Sequence, residues 1–396
     1  MTDFAAPVSA RFIKGETTGA VRPTLLVLSH LRWDFVTQRP QHLLTRAARV
    51  FDVVFVEEPV WVDAAMPSVD DRPRDGGIHV VQPVLPHGTD TAAAVDFQRT
   101  LLDTLVAQAQ GALILWFYTP MALPFARHIA ADLIVFDKMD ELSAFADAPP
   151  LLLALEQELI ELADVVFTGG ASMHEAAAHR HDNIHCFPSS IDATHFATAR
   201  AGLDAPTDQA NIAEPRIGFF GVIDERFDTE LLRAVAAAAP DRQFVMIGPV
   251  VKIDPAVLPQ AANIHWLGGK SYAELPAYLA GWSIGWMPFA INDATKFISP
   301  TKTPEFLAAG LPVVSTAIRD VVRPYGEAGL VEIASDADET LAAFAKITAR
   351  PRADWLAAVD AQLAQGSWDR TWAAMRARMD EILNGAAVPS KEMANV

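Results

Sequence analysis

Residues 301–305 place a lysine, two threonines and a glutamate next to one another in the run TKTPE. Thr303 is a typical N-cap residue and Pro304 suits the first helical turn, so the pattern predicts a helix that begins here. Glu305 then falls in the first turn, where the helix dipole favours a negative charge. A lysine and two hydroxyls beside the free N–H groups of a helix start predict an anion site. The alternative is a capped helix with a solvated lysine.

A second cation follows a glycine near residue 220. The run 218–228 has the pattern of a strand that ends in Gly221, then a turn that carries Arg226, then a helix. A guanidinium group suits bidentate contact with phosphate, so this turn is a second candidate for anion binding. The alternative is an ordinary turn arginine that pairs with Asp224 or Glu225.

The first half of the chain also carries polar and aromatic residues directly after predicted strands. They comprise His30, Trp33, Asp34 and Arg39 after the first strand, Tyr118 after a later one, and Asp137 and Asp140 after the next. We predict that the two carboxylates bind hydroxyls or accept a proton. Capping of the following helix is an equal alternative. His42 lies one turn into a predicted helix, and packing is the strong alternative for it.

Alternating strands and helices must position these residues. Continuous apolar runs predict parallel strands at 24–29, 52–57, 112–117, 133–136, 164–168 and 184–187, and again at 216–220, 243–247, 264–266, 283–287, 311–315 and 330–333. Gly310 is predicted to end the preceding helix in a left-handed conformation. Residues 60–90 are predicted to be a variable loop region with one short strand at 78–81.

This alternation predicts an α/β protein with two doubly wound parallel sheets of the Rossmann type and a cleft between them. We expect a loose tail over 1–22, a first domain over 23–205 and a second over 206–366. Residues 367–396 are expected to form a helix and then a tail.

Bulk composition excludes several classes of function. The chain has 396 residues, 51% of them hydrophobic, and a formal charge of −18, which argues against nucleic acid as the main partner. The single Cys186 excludes a Cys-rich metal site and suits a reducing compartment. The pair Asp336 and Asp338 suits helix capping, and His174, His179 and His181 lack ligand spacing, so we predict no metal site. No long apolar run or signal peptide is recognised, and we expect a cytoplasmic protein.

Several runs together resemble a known family. The run 299–316, SPTKTPEFLAAGLPVVST, resembles the donor-site signature of retaining GT-B glycosyltransferases, in a form found in a bacterial cell-envelope branch. NIHWLGGKSYAELPAYL, MPFAIN and the WDFVTQRPQHL run of the first half also resemble family motifs, in the expected order. Two positions depart from the pattern: Phe297 replaces a motif glutamate, and Val222 replaces an arginine of the diphosphate clamp.

The resemblance implies a GT-B fold, with the helix of 367–384 crossing back to the first domain. It implies transfer of a sugar from a UDP- or GDP-sugar to an envelope polysaccharide or lipid-linked glycan, with retention of configuration and no required metal or cofactor. The implied donor-binding residues are Arg226, Lys302, Glu305, Thr301, Leu267, Gly268, Gly221 and Asn292. The implied acceptor-binding residues are Trp33, Asp34, His30 and Tyr118, and the implied catalytic residues are Asp137, Asp140 and Arg39.

Two other functions compete with this hypothesis. A degenerate GT-B scaffold would bind a nucleotide or glycan without turnover, and Phe297 and Val222 favour it. A GT-B epimerase would need a pair of facing carboxylates in the donor domain, for which the sequence offers no clear candidate. Weak peripheral contact with the inner face of the membrane is left open, as is the oligomeric state.

Overall fold

The computed structural model describes residues 21–385. Residues 1–20 of the predicted N-terminal tail, and the tail predicted beyond 385, lie outside the described residues. The described part of the chain forms two sheets, each surrounded by helices.

The first sheet has nine strands in the spatial order β3-β5-β2-β1-β6-β7-β8-β9, with β4 on the outside of β5. All its pairings are parallel except that of β4 with β5. Its strands are β1 Thr24–Ser29, β2 Asp52–Glu57, β3 Val60–Val62, β4 Ser68–Arg74, β5 Ile78–Pro86, β6 Leu113–Phe117, β7 Leu133–Lys138, β8 Val165–Thr168 and β9 Ile184–Cys186.

The second sheet has six parallel strands in the order β12-β11-β10-β13-β14-β15. The strand order therefore reverses between β10 and β13, as it does between β1 and β6 in the first sheet. Such a reversal opens a crevice at the carboxyl ends of the strands, where ligands bind. These strands are β10 Arg216–Phe220, β11 Gln243–Ile247, β12 Ile264–Trp266, β13 Ile284–Met287, β14 Val313–Ser315 and β15 Val331–Ile333.

Thirteen α-helices connect the strands of the described chain. They are α1 Arg39–Ala47, α2 Thr91–Val106, α3 Leu123–Ala126, α4 Leu152–Leu162, α5 Ala171–Ala177, α6 Ala193–Ala197, α7 Thr229–Ala238, α8 Leu275–Ala280, α9 Lys302–Ala308, α10 Arg319–Val321, α11 Ala337–Ala349, α12 Arg352–Leu363 and α13 Trp368–Leu383. Shorter 3₁₀ turns and one π-helical turn over Val322–Gly326 complete the connections.

Both faces of the first sheet are buried. Alternate residues of β1 enter two different apolar clusters, one shared with α2 and α4 and the other with α1 and α13. All six residues of β1 are buried, which explains its continuous apolar sequence. The helix α13 buries Trp368, Trp372, Met375 and Met379 in this second cluster, so the end of the described chain packs on the first sheet.

Two local predictions are wrong. The helix of the TKTPE run begins at Lys302 rather than after Thr303, and Thr303 instead points its hydroxyl at the sulfur of Met287, 3.5 Å away. Pro304 is tolerated because the first N–H groups of a helix have no intrahelical partner. Residues 60–90 form three strands rather than a loop region. The polar strand β4 pairs antiparallel with residues 78–84 of β5. Its own polar composition does not indicate a strand, because the strand depends on this pairing.

Candidate functional site

A cavity lies between the carboxyl ends of the two sheets. It holds about 1220 Å³ of space, part of it open to solvent, and both domains form its walls. Seven of the residues that the sequence singled out line it: Arg39, Asp140, Gly221, Arg226, Thr301, Lys302 and Glu305.

Lys302 is the most unusual group of this cavity. It is the first residue of α9, and no hydrogen bond or ion pair to its ammonium group is present within residues 21–385. Its Nζ lies over the rings of Phe219 and Phe289, 5.6 Å and 5.9 Å from their centroids. Burial, and next the charge of Arg226, lower the pKa of Lys302 to about 8. The site thus contains a cation that makes no direct ion pair with a described carboxylate, although the charges of Glu305, Asp224 and Asp140 favour its protonated form.

Glu305 lies one turn further along α9. Burial raises the pKa of its carboxyl group to about 7, against the opposing effect of Lys302. Only 5% of the residue is exposed. Two ionisable groups of opposite sign therefore titrate near neutral pH at one wall of the cavity. Such shifts are typical of functional sites.

Two glycines bring the backbone close to the lysine. Gly221 follows β10 with a φ of 130°, and a Cβ there would lie 2.1 Å from Cε of Lys302. Gly248 follows β11, and a Cβ there would lie 1.8 Å from the carbonyl oxygen of Gly221. A side chain at either position would fill the space that the lysine and the turn occupy, so both positions require glycine.

Arg226 reaches the cavity from the turn after β10. Its Nε and Nη2 donate to the carboxylate of Asp224 at 2.7–3.2 Å, so the ion pair left open by the sequence is present. Burial is the largest influence and would lower the pKa of Arg226, but the hydrogen bonds to Asp224 and the charges of the nearby carboxylates together raise it. Nη1 has no protein partner within the described residues. Val222, which stands where the family motif has an arginine of the diphosphate clamp, also lines the cavity.

Arg39 is the cation that the first domain contributes. Its Nε donates to both carboxylate oxygens of Asp137, at 2.9 Å and 3.1 Å, and Nη1 donates to the carbonyl of Phe187 at 2.6 Å. Asp137 is fully buried and is not among the residues of the cavity wall. The Tyr118 side chain is also buried, beside this carboxylate, so neither residue reaches the cavity.

Asp140 lines the cavity, whereas His30 is not among the residues of its wall. Burial lowers the pKa of His30, and the charge of Asp140 opposes this effect. The helical turn after β7 begins without a side-chain cap, so Asp140 does not cap it. Asp140 is thus the accessible carboxylate of the predicted pair.

Trp33 and Asp34 do not line the cavity. Asp34 binds Arg72 and Arg74 of β4 at 3.0 Å and 2.6 Å, and the hydrogen bond from Arg74 lowers the pKa of its carboxyl group. The ring of Trp33 packs edge-on against Phe55, and its backbone N–H donates to a buried glutamate of β2.

The predicted base-binding residues lie next to the cavity wall. Leu267 donates its N–H to Met246, and the carbonyl of Gly268 accepts from Gly248, so both are held at the end of β12. Asn292 caps a 3₁₀ turn and donates to the carbonyl of Glu225. Its amide is therefore already occupied by the protein.

Several residues of the cavity wall were not among the predicted ones, including Gln38, Gly169, Ser189, Lys270 and Tyr272. The ring of Tyr272 stacks on His195 at 4.5 Å and meets His42 edge-on at 5.2 Å. Tyr272 belongs to the run that resembles a family motif, and Ser189 closely follows a strand. Membership of a family-like run and a position soon after a strand were therefore the sequence features that could have identified these two residues.

The described residues contain no group of three or more His, Cys, Asp or Glu side chains arranged to hold a metal ion. Within the same range, no helix combines the length and the apolar character needed to cross a membrane. Asp336 caps α11 by accepting the N–H of Glu339, as the sequence predicted.

Residues 214–350 match the family model described as Glycosyl transferases group 1. Among curated proteins, the chain is similar to "Putative teichuronic acid biosynthesis glycosyltransferase TuaH" of Bacillus subtilis (strain 168). The two are 25% identical over 234 residues, which cover 54% of this chain and 59% of that protein.

Solved structures resemble the chain over nearly its whole length. A trehalose-6-phosphate structure from E. coli, bound with UDP-2-fluoro glucose, has a TM-score of 0.67 at 14% identity and covers 93% of this chain and 100% of its own. Sucrose-phosphate synthase from Thermosynechococcus elongatus has a TM-score of 0.68 at 15% identity, with 92% and 100% covered. Anabaena HepE in complex with UDP and glucose has a TM-score of 0.67 at 11% identity, with 91% and 100% covered. The chain therefore has the GT-B fold, and residues 214–350 of its second half resemble the group 1 glycosyl transferases.

Proposed function

We propose that the protein is a glycosyltransferase that moves a sugar from a nucleoside diphosphate sugar to a glycan or lipid-linked acceptor of the cell envelope. One observation carries the proposal: Lys302 lies half-buried at the wall of the interdomain cavity and makes no ion pair with a carboxylate of the described residues. A buried charge is costly unless it is paired, so the missing partner is expected to come from an anionic ligand.

The donor side of the cavity suits a nucleoside diphosphate. Lys302 and the free Nη1 of Arg226 would bind the two phosphates and stabilise the charge that develops as the diphosphate departs. Glu305 would accept hydrogen bonds from the ribose hydroxyls. Leu267 and Gly268 would contact the base, because they lie at the strand end beside the cavity. Two protein cations supply the positive charge, so this proposal requires no metal.

The acceptor side is proposed to centre on Asp140. Its carboxylate would bind the acceptor hydroxyl or accept its proton. Arg39 would contribute a positive charge to the cavity wall, and its ion pair with Asp137 would keep the guanidinium group in one orientation. Asp137 is thereby assigned a positioning role in place of direct catalysis. Family resemblance implies retention of configuration, by attack of the acceptor on the face from which the diphosphate leaves.

The similar proteins support the class of substrate. Two of the solved structures hold UDP or a UDP-sugar, and the curated relative is named for teichuronic acid biosynthesis. These names make UDP the first nucleotide to test and an envelope polysaccharide the first acceptor to test.

Calorimetric titration of UDP, GDP, ADP and dTDP tests the proposal. We expect one nucleotide to bind selectively and Lys302→Ala to abolish its binding. Lys296→Ala is the matched control, because this exposed lysine, six positions away, also lacks a carboxylate partner but lies outside the cavity wall. Binding of none of the four nucleotides by the folded protein would contradict the proposal. Binding without sugar transfer from any UDP- or GDP-sugar would favour the non-catalytic scaffold.

A further inference from the structure

A segment of the first domain crosses the cleft and contacts the second domain. The turn Leu142–Ala144 follows β7, and Phe145 comes directly after it. The backbone N–H of Ala146 lies 3.3 Å from both carboxylate oxygens of Glu225, which belongs to the turn after β10. The same segment therefore touches the loop that carries Arg226.

The ring of Phe145 lies against two cations of the second domain. The guanidinium carbon of Arg226 is 5.3 Å from the ring centroid, and Nζ of Lys252 is 5.1 Å from it. These cations follow neighbouring strands, and the two loops pair through Ile223 and Val250. Because like charges repel, an aromatic face shared by both cations offsets part of the cost of placing them together.

The guanidinium group of Arg226 is thus held from two sides. Asp224 binds Nε and Nη2, and the ring of Phe145 packs on the group. Nη1 is left without a protein partner within the described residues, in a group that lines the cavity. Asp224 belongs to the same domain as Arg226, whereas Phe145 comes from across the cleft.

We propose that Phe145 is a positioning residue that orients Arg226 for a diphosphate. This inference rests on the proposed function and deepens it. The contact joins two domains, so it exists only when the segment after β7 lies against the second domain. Diphosphate binding and this interdomain contact therefore stabilise each other, because each is stronger when the other is present.

Titration of UDP and uridine into the wild type, Phe145→Leu and Phe145→Trp tests the proposal. Leucine keeps an apolar side chain but removes the aromatic face, so we expect UDP to bind about fivefold more weakly. Uridine lacks the phosphates, and we expect its affinity to stay unchanged. Tryptophan restores an aromatic face, and we expect UDP affinity within about twofold of the wild type.

Phe297→Leu is the matched control. The ring of Phe297 also lies over a lysine, Lys296 at 5.1 Å, but this pair lies within the second domain and outside the cavity wall. We expect the control to bind UDP as the wild type does. Unchanged UDP affinity in Phe145→Leu, or an equal loss of uridine affinity, would overturn the inference.

The result separates this inference from the proposed function. If UDP fails to bind, the same comparison is made with whichever of GDP, ADP and dTDP binds the wild type, together with its nucleoside. If none binds, the proposed function and the inference both fail. If one binds and Phe145→Leu binds it equally well, the inference alone fails.

Discussion

Two cations, the buried Arg39 of the first domain and the half-buried Lys302 of the second, line the same cavity and differ in what surrounds them. Arg39 is paired with Asp137 and also donates to a backbone carbonyl, so its charge is compensated by the protein. Lys302 has aromatic rings beside it and no direct ion pair among residues 21–385, and burial lowers the pKa of its ammonium group to about 8. The pair of Arg39 with Asp137 is expected to stabilise the fold in addition to its role in the cavity, whereas the unpaired ammonium group of Lys302 is expected to depend on a ligand for its counterion. The predictions below test this difference.

The largest effect is expected from Arg39→Met. Removing the cation leaves the buried carboxylate of Asp137 unpaired, which should lower the free energy of unfolding by about 3–5 kcal/mol. Urea denaturation measures this change. Arg49→Met is the control, because Arg49 and its partner Asp369 are both mostly exposed, and its effect should stay within about 1 kcal/mol. A cost below about 1 kcal/mol for Arg39→Met would mean that the pair does not stabilise the fold.

Lys302→Met should stabilise the fold, in contrast to Arg39→Met. It removes a desolvated charge, so the free energy of unfolding at pH 7 should rise by about 1–3 kcal/mol, because a pKa lowered from 10.5 to about 8 marks a native state that disfavours the proton. The gain should fade as pH rises from about 8 towards 10.5, since the native lysine is then already neutral. Nucleoside diphosphate binding should be lost. Destabilisation by Lys302→Met at pH 7 would contradict the comparison.

Gly221→Ala tests the contact between the backbone and Lys302. Its Cβ would collide with Cε of the lysine at a φ of 130°, so the ammonium group must move. Diphosphate affinity should fall about tenfold, as for the loss of one charge-assisted hydrogen bond. Gly329→Ala is the control: its φ is 69°, and no atom lies within 4 Å of the added Cβ. The control should lose stability without losing affinity, and equal affinities in both variants would contradict the account.

The smallest effect is expected from Asp34→Asn. Its partners Arg72 and Arg74 are partly exposed, so the free energy of unfolding should change by less than about 1 kcal/mol. Nucleoside diphosphate affinity should not change, because Asp34 is not part of the cavity wall. Thermal denaturation and calorimetry measure the two quantities. A large loss in either would show that an exposed ion pair matters as much as the buried one.

The sequence predicted the strands better than it predicted contacts between distant residues. The strands at 24–29, 52–57 and 216–220 have the predicted bounds, because a strand buried on both faces is a continuous apolar run. The strand β4 was missed, because it is polar and depends on pairing with β5. The same omission hid the partners of Asp34, which pairs with Arg72 and Arg74 of β4 and is not part of the cavity wall.

Position in the sequence was a good guide to the residues that line the cavity, but it did not predict which of the selected side chains contact each other. Arg226 and Asp140 reach the cavity because strand ends meet there, and Lys302 and Glu305 reach it from the first turn of α9, as the helix-start pattern predicted. The contact between Arg39 and Asp137 joins residues 98 positions apart, and no local pattern encodes it. Phe145 was likewise not singled out, because its importance depends on cations from the other domain.

Proton uptake on nucleotide binding tests the central claim most directly. At pH 8.5 part of Lys302 is neutral in the free protein, because its pKa is about 8. An anion that binds beside it favours the charged form, so binding should take up a fraction of a proton, and affinity should fall as pH rises above 8. Calorimetry of UDP binding in buffers of different ionisation enthalpy measures this uptake, with Lys302→Arg as the variant that stays charged. The account predicts uptake by the wild type and none by Lys302→Arg; nucleotide binding by the wild type without proton uptake would contradict it.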